Sequence, residues 1–303
     1  MTRAALADSV GEGLVPASLR VGLIGHGIGQ SRTPGMHMSE GTALGLPYVY
    51  DLIDTGELSA PDLGALLDRA EADGFAGVNV THPYKQEAVL HVHDLSPAAA
   101  AIGAINTIVF ADGRRTGHNT DSWGFVQAAR LHLPGAAMAH VLLLGAGGAG
   151  RAVGQSLVEL GAAQISIIDT SDAAAQALAA DINAASNTDI ASAVAIPDNL
   201  RGVDGVVNAT PVGMNSHPGT PMATDLLTTR QWVADIIYFP IETDFLKAAR
   251  RLGCRTMDGS GMAVFQAVRA FELFTGQTPD PIRMRATFDA LGRDTQPGRT
   301  PNA

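Results

Sequence analysis

Cysteine, long apolar runs and basic clusters are all scarce in this sequence of 303 residues. Cys254 is the single cysteine, which excludes an internal disulfide and a thiolate metal cluster and favours a reducing, cytoplasmic location. No run approaches the roughly 18 apolar residues of a membrane-spanning helix. Residues 1–20 lack the continuous apolar core of a secretory signal, so we interpret them as a short flexible leader of a soluble protein.

Positive charge is outweighed by negative charge, with 20 Lys and Arg against 30 Asp and Glu and a formal net charge of −10. Nucleic-acid surfaces need clustered Lys and Arg that displace counterions from phosphates, and no such cluster occurs. We therefore expect neither a nucleic-acid nor a membrane partner. An anionic substrate must be held by local donors, because the overall field does not attract it.

Apolar runs alternate with helical patterns in the first half of the chain. Strands are predicted at residues 21–25 and 47–54 and from residue 75, where FAGVNV runs into a polar loop. Helices are predicted at residues 33–46 and 60–72. The order strand, helix, strand, helix, strand implies a parallel sheet.

The second half contains a clearer βαβ unit. An apolar strand from His140 leads into a glycine-rich turn and a helix to about Leu160, and the chain returns as a strand from Gln164. Further elements are strands from Val203 and from Trp232 and a helical stretch from Met262 to about Leu291, followed by a tail of disorder-like composition.

These patterns predict an α/β fold with two α/β domains that face each other across a cleft. The first is a substrate-binding and catalytic domain with a mainly parallel sheet, made of residues 1–122 and about 260–303. The second, residues 123–259, is a Rossmann-type NAD(P)-binding domain. Ligands in such sheets gather at the polar residues that follow the strands.

The string GAGGAG matches the G-x-G-x-x-G fingerprint at Gly145, Gly147 and Gly150, between an apolar strand and a helix as the fingerprint requires. Such glycines form a tight turn, let the backbone approach a pyrophosphate and leave the N–H groups of a helix N-terminus open to the anion. A merely structural glycine-rich turn is the alternative. We predict a nicotinamide dinucleotide site here.

Asp169 ends the next strand, where folds of this kind place an acidic residue on the adenosine ribose hydroxyls. A carboxylate there repels the 2′-phosphate of NADP, and no Lys or Arg occurs between Arg151 and Arg201 to bind that phosphate. NAD is therefore the predicted cofactor, with NADP used weakly or not at all. Arg151 folding over the ribose is the arrangement that would reverse this preference.

Four polar strings in the first half lie near the ends of apolar runs, namely SRTP, NVTHPYK, AINT and HNTD. With GAGGAGRA, NATPVGM, DIIYFPIETDFL and GMAVFQA, they resemble the shikimate/quinate dehydrogenase family, in order, from about Val21 to Gly276. Together the strings are far more specific than the glycine fingerprint, which unrelated enzymes share. The resemblance implies an oxidoreductase for a small hydroxylated cyclic carboxylic acid. Homodimers are common in the family and monomers also occur.

The resemblance implies that Lys85 and Asp121 form the catalytic pair. Oxidation of a secondary alcohol removes hydride from carbon and a proton from oxygen, so a positioned base must take that proton and return it in the reverse reaction. Asp121 would hold the lysine and the substrate hydroxyl in line. The structural alternatives are a solvated surface lysine and, because an apolar helix follows, an N-cap role for Asp121.

The resemblance also places Ser31 and Thr33 at the substrate carboxylate. The usual family pattern has a second serine there, and threonine keeps the donor while adding a methyl group and stiffening χ1. Thr33 and Asp169 together favour the NAD-dependent branch that uses quinate and shikimate. The alternatives are a biosynthetic NADP-dependent shikimate dehydrogenase, a relative that uses an aminated substrate, and a non-catalytic dinucleotide sensor.

The other implied contacts form two groups. Those with the substrate are Thr81, Asn106 and Gln266 at the ring hydroxyls, together with Tyr238; those with the cofactor are Gly145, Gly147, Gly148, Gly150, Arg151, Asp169, Thr210, Met214, Gly259 and Met262. The local alternatives are a buried aromatic residue for Tyr238 and a core gap filler for Met262.

His91, His93 and Asp94 alternate in a way that suggests metal ligands. No further ligands are spaced to complete a catalytic or structural site, so no metal is predicted. His37 and His82 lie beside the polar strings and are interpreted as packing residues.

Overall fold

Two sheets organise residues 18–294, the part of the chain that this computed structural model describes. The first lobe contains β1 (Leu19–Gly25), α1 (Thr33–Ala43), β2 (Tyr48–Asp54), α2 (Leu63–Ala72), β3 (Gly77–Val80), β4 (Asp94–Leu95), α3 (Pro97–Ile102), β5 (Thr107–Ala111) and β6 (Arg114–His118). The chain then continues through α4 (Thr120–His132), β7 (His140–Leu144), α5 (Gly148–Glu159), β8 (Gln164–Ile168), α6 (Asp172–Ser186), β9 (Ala191–Ala193), β10 (Gly205–Asn208), β11 (Trp232–Asp235), α7 (Asp244–Arg251), β12 (Arg255–Met257), α8 (Ser260–Thr275) and α9 (Pro281–Asp294).

The predicted leader and tail lie for the most part outside the described residues. At their inner edges, Leu19 and Arg20 belong to β1 and residues 292–294 belong to α9. No helix among residues 18–294 is long and apolar enough to cross a membrane.

The first sheet has the order β2-β1-β3-β5-β6-β4, and three of its five neighbouring strand pairs are parallel. The predicted strand–helix alternation through β1, β2 and β3 is confirmed. The antiparallel hairpin of β5 and β6 was not predicted. Its turn is Asp112–Gly113, both with positive φ (51° and 69°), and Asp-Gly between two strand-forming runs is the signal that would have identified it.

The second sheet has the order β12-β11-β10-β7-β8-β9, and all of its pairs are parallel. Numbered within this lobe and read from β9, the order is 3-2-1-4-5-6, which is that of the Rossmann fold. The order reverses between β7 and β10, so a crevice opens at the carboxyl ends of these two strands. Dinucleotides bind at such a reversal.

The predicted helix over residues 262–291 is two helices. α8 ends at Thr275 and is capped by Gly276, whose φ of 67° is left-handed, and α9 starts at Pro281. Both return to the first lobe, where Phe271 of α8 stacks on Tyr48 and Phe288 of α9 joins a core cluster with Met36. The exact domain limits stay an interpretation.

A buried ion pair attaches α9 to α1. Glu40 of α1 is 0% exposed, and its carboxylate accepts two hydrogen bonds from the Arg283 guanidinium, at 2.7 and 2.6 Å. A third comes from the backbone N–H of Asp280 at 2.8 Å. The two partners are 243 residues apart in sequence, so this contact closes the first lobe with the end of the chain.

We expect Arg283→Ala to lower the free energy of unfolding by about 3 kcal/mol, because it leaves a buried carboxylate without its ionic partner. The matched control is Arg285→Ala on the same helix, whose ion pair with Asp289 has both side chains about 40% exposed, and which should cost less than about 1 kcal/mol. Denaturant unfolding measures both values. Equal losses in the two variants would contradict this account of Glu40.

Candidate active site

Lys85 and Asp121 meet where the first lobe faces α5. Lys85 lies in the loop after β3, Asp121 is the second residue of α4, and Lys85 Nζ donates to Asp121 Oδ2 at 2.6 Å. Their side chains are only 18% and 8% exposed, so Lys85 is not a solvated surface lysine. A charge-assisted hydrogen bond of this length fixes the position of the ammonium group.

The N-cap of α4 is Asn119, and the N-cap alternative for Asp121 is therefore wrong. Asn119 Oδ1 accepts from the backbone N–H of Ser122 at 3.1 Å, and its Nδ2 donates to the carbonyl of Ala104 at 2.9 Å. Asp121 remains free to pair with Lys85. The positive end of the α4 dipole favours its negative charge in the first turn.

A buried polar network supports this turn from behind. Asn106 Oδ1 accepts from the backbone N–H of Thr120 at 2.7 Å, and Asn106 Nδ2 donates to the Thr120 hydroxyl at 2.9 Å. Asn79 donates to Thr107 at 2.9 Å and accepts from the Tyr50 hydroxyl at 2.8 Å. The polar strings of the sequence contain Asn79, Asn106, Thr107 and Thr120, but no role was predicted for the two threonines or for Tyr50, which lies in the apolar pattern of β2.

Ser31 and Thr33 flank the start of α1. Both are half-buried, and Ser31 Oγ accepts from the backbone N–H of Thr33 at 3.4 Å. Arg32 between them was missed by the sequence analysis. It is 8% exposed, and its guanidinium lies 4.5 Å from the centre of the Phe288 ring on α9. The Arg32 guanidinium is thus directed at α9, on a residue that lies between the two hydroxyl residues predicted to hold a carboxylate.

The Tyr238 hydroxyl lies within electrostatic range of both Asp121 and Arg32. Burial of its hydroxyl raises its pKa, the Asp121 carboxylate raises it further, and the Arg32 guanidinium lowers it. The residue as a whole still keeps 36% exposure, as expected for a ring whose edge faces a cleft. Its ring packs edge-on against Phe288 with centroids 6.1 Å apart.

Thr81 and Gln266 are placed less directly. Thr81 follows β3, is half-buried, and packs its methyl group against Gly25. Gln266 lies half-buried on α8, where its amide donates to the carbonyl of Ala263 at 3.0 Å. α8 passes close to α4 because Gly124 has no side chain, since a Cβ there would lie 2.8 Å from the backbone N of Gln266.

The glycine turn has the shape that a dinucleotide needs. Gly145 adopts a φ of 100°, and a Cβ there would lie 2.8 Å from the backbone of Ala209, at the end of β10. A Cβ on Gly150 would collide with the carbonyl oxygen of Gly145. Gly147 is the exposed N-cap of α5 and caps it with no side chain, so the first N–H groups of the helix are open to an anion.

Gly148 brings this turn against the lysine. A Cβ at position 148 would lie 3.2 Å from Cβ and 3.5 Å from Cδ of Lys85. The N-terminus of α5 and the Lys85–Asp121 pair are therefore neighbours across the lobes.

Asp169 and Arg151 lie on either side of the turn and have different surroundings. Asp169 Oδ2 accepts from the backbone N–H of Ala146 at 2.7 Å, which fixes the carboxylate at the carboxyl end of β8 beside the glycine turn. Arg151 instead donates to Asp181 of α6 at 2.6 Å and to the carbonyl of Ile102 in the first lobe at 3.3 Å. The structure thus does not bring Arg151 to the ribose end of the site.

The loop after β10 carries Thr210 and Met214. Asn208 is buried, and its Oδ1 accepts from the hydroxyl and the backbone N–H of Thr210 at 2.7 and 3.0 Å. Met214 is 38% exposed farther along the same loop. Asn208 also donates to Asp235 at 3.1 Å, a buried acid that was not predicted, although a polar residue that closes an apolar strand is a signal for it.

Gly259 and Met262, the last two residues predicted to contact the cofactor, lie at the start of α8. A Cβ on Gly259 would collide with the carbonyl group of Ile236, so glycine lets the start of α8 lie directly against the segment after β11. Met262 is 7% exposed in the first turn of α8 and belongs to the core cluster of the second lobe, which also fits the gap-filler alternative.

The histidines outside this region have separate partners. His93 Nδ1 accepts from the backbone N–H of Arg115, Asp94 pairs with Arg114, and no group of three or more metal-ligating side chains occurs among residues 18–294. His37 is fully buried, and burial lowers its pKa to about 3, so it is a neutral core residue.

Comparison with known proteins identifies the family of this chain. Residues 23–108 match the shikimate dehydrogenase substrate binding domain, and residues 259–287 match the shikimate 5′-dehydrogenase C-terminal domain. A quinate/shikimate dehydrogenase (NAD(+)) of Corynebacterium efficiens is 49% identical over 90% of this chain and 99% of its own. A shikimate dehydrogenase (NADP(+)) of Streptomyces avermitilis is 48% identical over 90% of this chain and 96% of its own.

A solved structure resembles the whole described fold. The quinate dehydrogenase from Corynebacterium glutamicum in complex with NAD superposes with a TM-score of 0.83 at 47% identity, and the match covers 90% of this chain and 99% of that one. Sequence, site geometry and fold agree, and this chain belongs to the shikimate/quinate dehydrogenase family.

Proposed function

We propose that this chain is an NAD-dependent quinate/shikimate dehydrogenase. It transfers hydride reversibly between NAD and a ring secondary alcohol, and so converts quinate to 3-dehydroquinate and shikimate to 3-dehydroshikimate. The observation that carries the proposal is the 2.6 Å contact of Lys85 with Asp121, held against the dinucleotide turn at Gly148. A base beside a dinucleotide turn is what alcohol oxidation requires.

The chain supplies proton transfer and orientation. Bound NAD would accept the hydride from the alcohol carbon. Lys85 in its neutral form takes the hydroxyl proton in this direction, and its ammonium form returns a proton to the carbonyl oxygen in the other direction. Asp121 holds the lysine nitrogen in place, and the Asn106–Thr120 contacts fix the first turn of α4 that carries Asp121.

The substrate carboxylate faces Ser31 and Thr33 in this proposal. Hydroxyl donors suit a carboxylate, and they supply the local donors that an anionic substrate needs in a chain of net charge −10. Thr81, Asn106 and Gln266 hold the ring hydroxyls, with Tyr238 between the carboxylate end and the catalytic pair.

NAD rather than NADP is proposed on the geometry of the turn. Relatives named for NAD and for NADP are 49% and 48% identical to this chain, so overall identity does not separate the two cofactors. Asp169 is fixed beside the glycine turn, where its charge opposes a 2′-phosphate, and Arg151 is already paired with Asp181. The cytoplasmic location and the choice between monomer and homodimer stay predictions.

The first test is the initial rate of NADH or NADPH formation by the purified protein with quinate and with shikimate. We expect NAD with quinate to give the highest kcat/KM and Lys85→Ala to lower kcat by at least about a hundredfold, which is the low end of the contribution of general acid–base catalysis. Gln86→Ala, an exposed neighbour in the same loop, is the control and should keep kcat. A higher kcat/KM for NADP with shikimate would favour the biosynthetic alternative, and absence of turnover with all four pairs would favour the sensor.

Asp169→Asn tests the cofactor preference. The amide oxygen can still accept from Ala146, but the negative charge is lost, so the ratio of kcat/KM for NAD to that for NADP should fall by about tenfold or more. Asp172→Asn, an exposed acid in the first turn of α6, should leave the ratio unchanged. An unchanged ratio in Asp169→Asn would remove Asp169 from the explanation.

Two alanine variants of the glycine turn separate chemistry from cofactor binding. In Gly148→Ala the new methyl group would lie 3.2 Å from Lys85 and displace it, so kcat should fall by about tenfold. In Gly147→Ala the methyl group meets no protein atom within 4 Å and instead narrows the space for a pyrophosphate, so KM for NAD should rise with less effect on kcat. Full kcat in Gly148→Ala would show that the Lys85 contact has no catalytic consequence.

A further inference from the structure

The carboxyl ends of β10 and β11 are tied together by one buried carboxylate. Asp235, the last residue of β11, is 0% exposed and accepts three hydrogen bonds. They come from Asn208 Nδ2 at 3.1 Å, from the backbone N–H of Ile237 at 3.1 Å and from the Thr243 hydroxyl at 2.8 Å. Its acceptor capacity is used from three directions, and each donor leads to a different segment of the lobe.

The Asn208 contact leads to the loop after β10. Asn208 is also 0% exposed; its Nδ2 donates to the carbonyl of Val212 at 3.0 Å while its Oδ1 accepts from the Thr210 hydroxyl at 2.7 Å. The loop that carries Thr210 and Met214 is thus folded around a single side chain. Asp235 fixes the rotamer of that side chain, because it accepts from the same amide group.

The Ile237 contact leads to Tyr238. Asp235 accepts a hydrogen bond from the backbone N–H of Ile237, the residue before Tyr238. On the other side of this segment, Gly259 packs against the peptide group of Ile236. Thr243 is the N-cap of α7, accepting from the backbone N–H of Leu246 at 3.2 Å, so the third contact stabilises a helix that carries none of the proposed site residues.

We propose that Asp235 is a positioning residue for hydride transfer, because its carboxylate holds in register the two loops that carry Thr210 with Met214 and Tyr238 on the cofactor side of the cleft. The inference rests on the proposed function, since it names the site that these loops serve. Asp235 contacts neither the catalytic pair nor the glycine turn and acts only through the loops.

A charged acid suits this position because all three of its partners are donors. Burial raises the pKa of Asp235 to about 6, and the Asp258 carboxylate after β12 adds to this effect, while the three donors act in the opposite direction. Arg250 Nη2 of α7 lies 3.9 Å from Asp258 Oδ2. As the pH falls through about 6, protonation of Asp235 leaves its carboxyl group with less capacity to accept hydrogen bonds. The loops after β10 and β11 should then lose order.

The effect on stability has the opposite sign. The pKa of Asp235 in the folded protein, about 6, lies above its ordinary value of 3.8. The folded state therefore binds the proton more tightly, and this group contributes stability that is present below about pH 4 and lost as the pH rises through about 6. Acid should thus loosen the two loops without weakening the lobe through Asp235.

The test compares Asp235→Asn and Asp235→Ala with Gln231→Ala. Gln231 is a matched control because it lies just before the other end of β11, is 4% exposed, and makes four hydrogen bonds to the backbone and side chains of Thr228, Leu200 and Val203. The readouts are amide hydrogen exchange of residues 208–214 and 236–240 without cofactor, NADH affinity by fluorescence between pH 5 and 8, and kcat with KM.

We expect both Asp235 variants to exchange these amides faster and to bind NADH about tenfold more weakly than the wild type, and Gln231→Ala to lower Tm without either change. NADH affinity should fall through about pH 6 in the wild type and stay flat in Asp235→Asn. Wild-type exchange and affinity in Asp235→Asn, or changes no larger than those of Gln231→Ala, would overturn the proposal. If the wild type binds NADH but oxidises neither substrate, the proposed function fails, whereas exchange and binding still decide the role of Asp235.

Discussion

The contact between the Lys85 ammonium and the Asp121 carboxylate requires that both groups leave most of their water. Two charges at 18% and 8% exposure are tolerated because each neutralises the other at 2.6 Å, and neither would be stable there alone. The surrounding structure serves this pairing. Asn119 caps α4 so that Asp121 stays free, Asn106 fixes the first turn of the helix, and Gly148 leaves room for the lysine stem.

Charged groups and a helix dipole also lie around this pair, in a chain whose net charge is −10. In the proposed function, Arg32 belongs to the end where the carboxylate binds, the open N-terminus of α5 receives the pyrophosphate, and Asp169 opposes the 2′-phosphate that distinguishes NADP from NAD. In the proposed function, recognition of substrate and cofactor depends on a few local charges and dipoles, which act most strongly where screening by water is weak.

Much of the fold and of the site could be predicted from the sequence because the signals are local. The glycine fingerprint, the strands before it and after it, and the polar residues at strand ends all follow from period and spacing. The Asp112–Gly113 hairpin was also locally encoded and was overlooked. The roles of Arg32 and Asp235 had to come from coordinates, since they depend on neighbours such as Phe288 or Asn208 that lie far away in sequence. The contacts of Tyr50 and Thr107 with Asn79, and of Thr120 with Asn106, also join separate segments of the chain. The N-cap alternative for Asp121 named the wrong residue because Asn119 and Asp121 are both good capping residues at two-residue spacing, and sequence alone does not set the register.

The pairing of Glu40 with Arg283 has a consequence for synthesis of the chain. Glu40 on α1 is synthesised early, and its partner Arg283 leaves the ribosome 243 residues later. Met36 on the same helix likewise packs against Phe288, which is made at the end of the chain. The second sheet, by contrast, is built from one continuous stretch between His140 and Met257. The lobe that is translated first is thus the last to be completed, and a nascent chain that stalls before α9 presents an uncovered apolar face with an unpaired acid to chaperones and proteases.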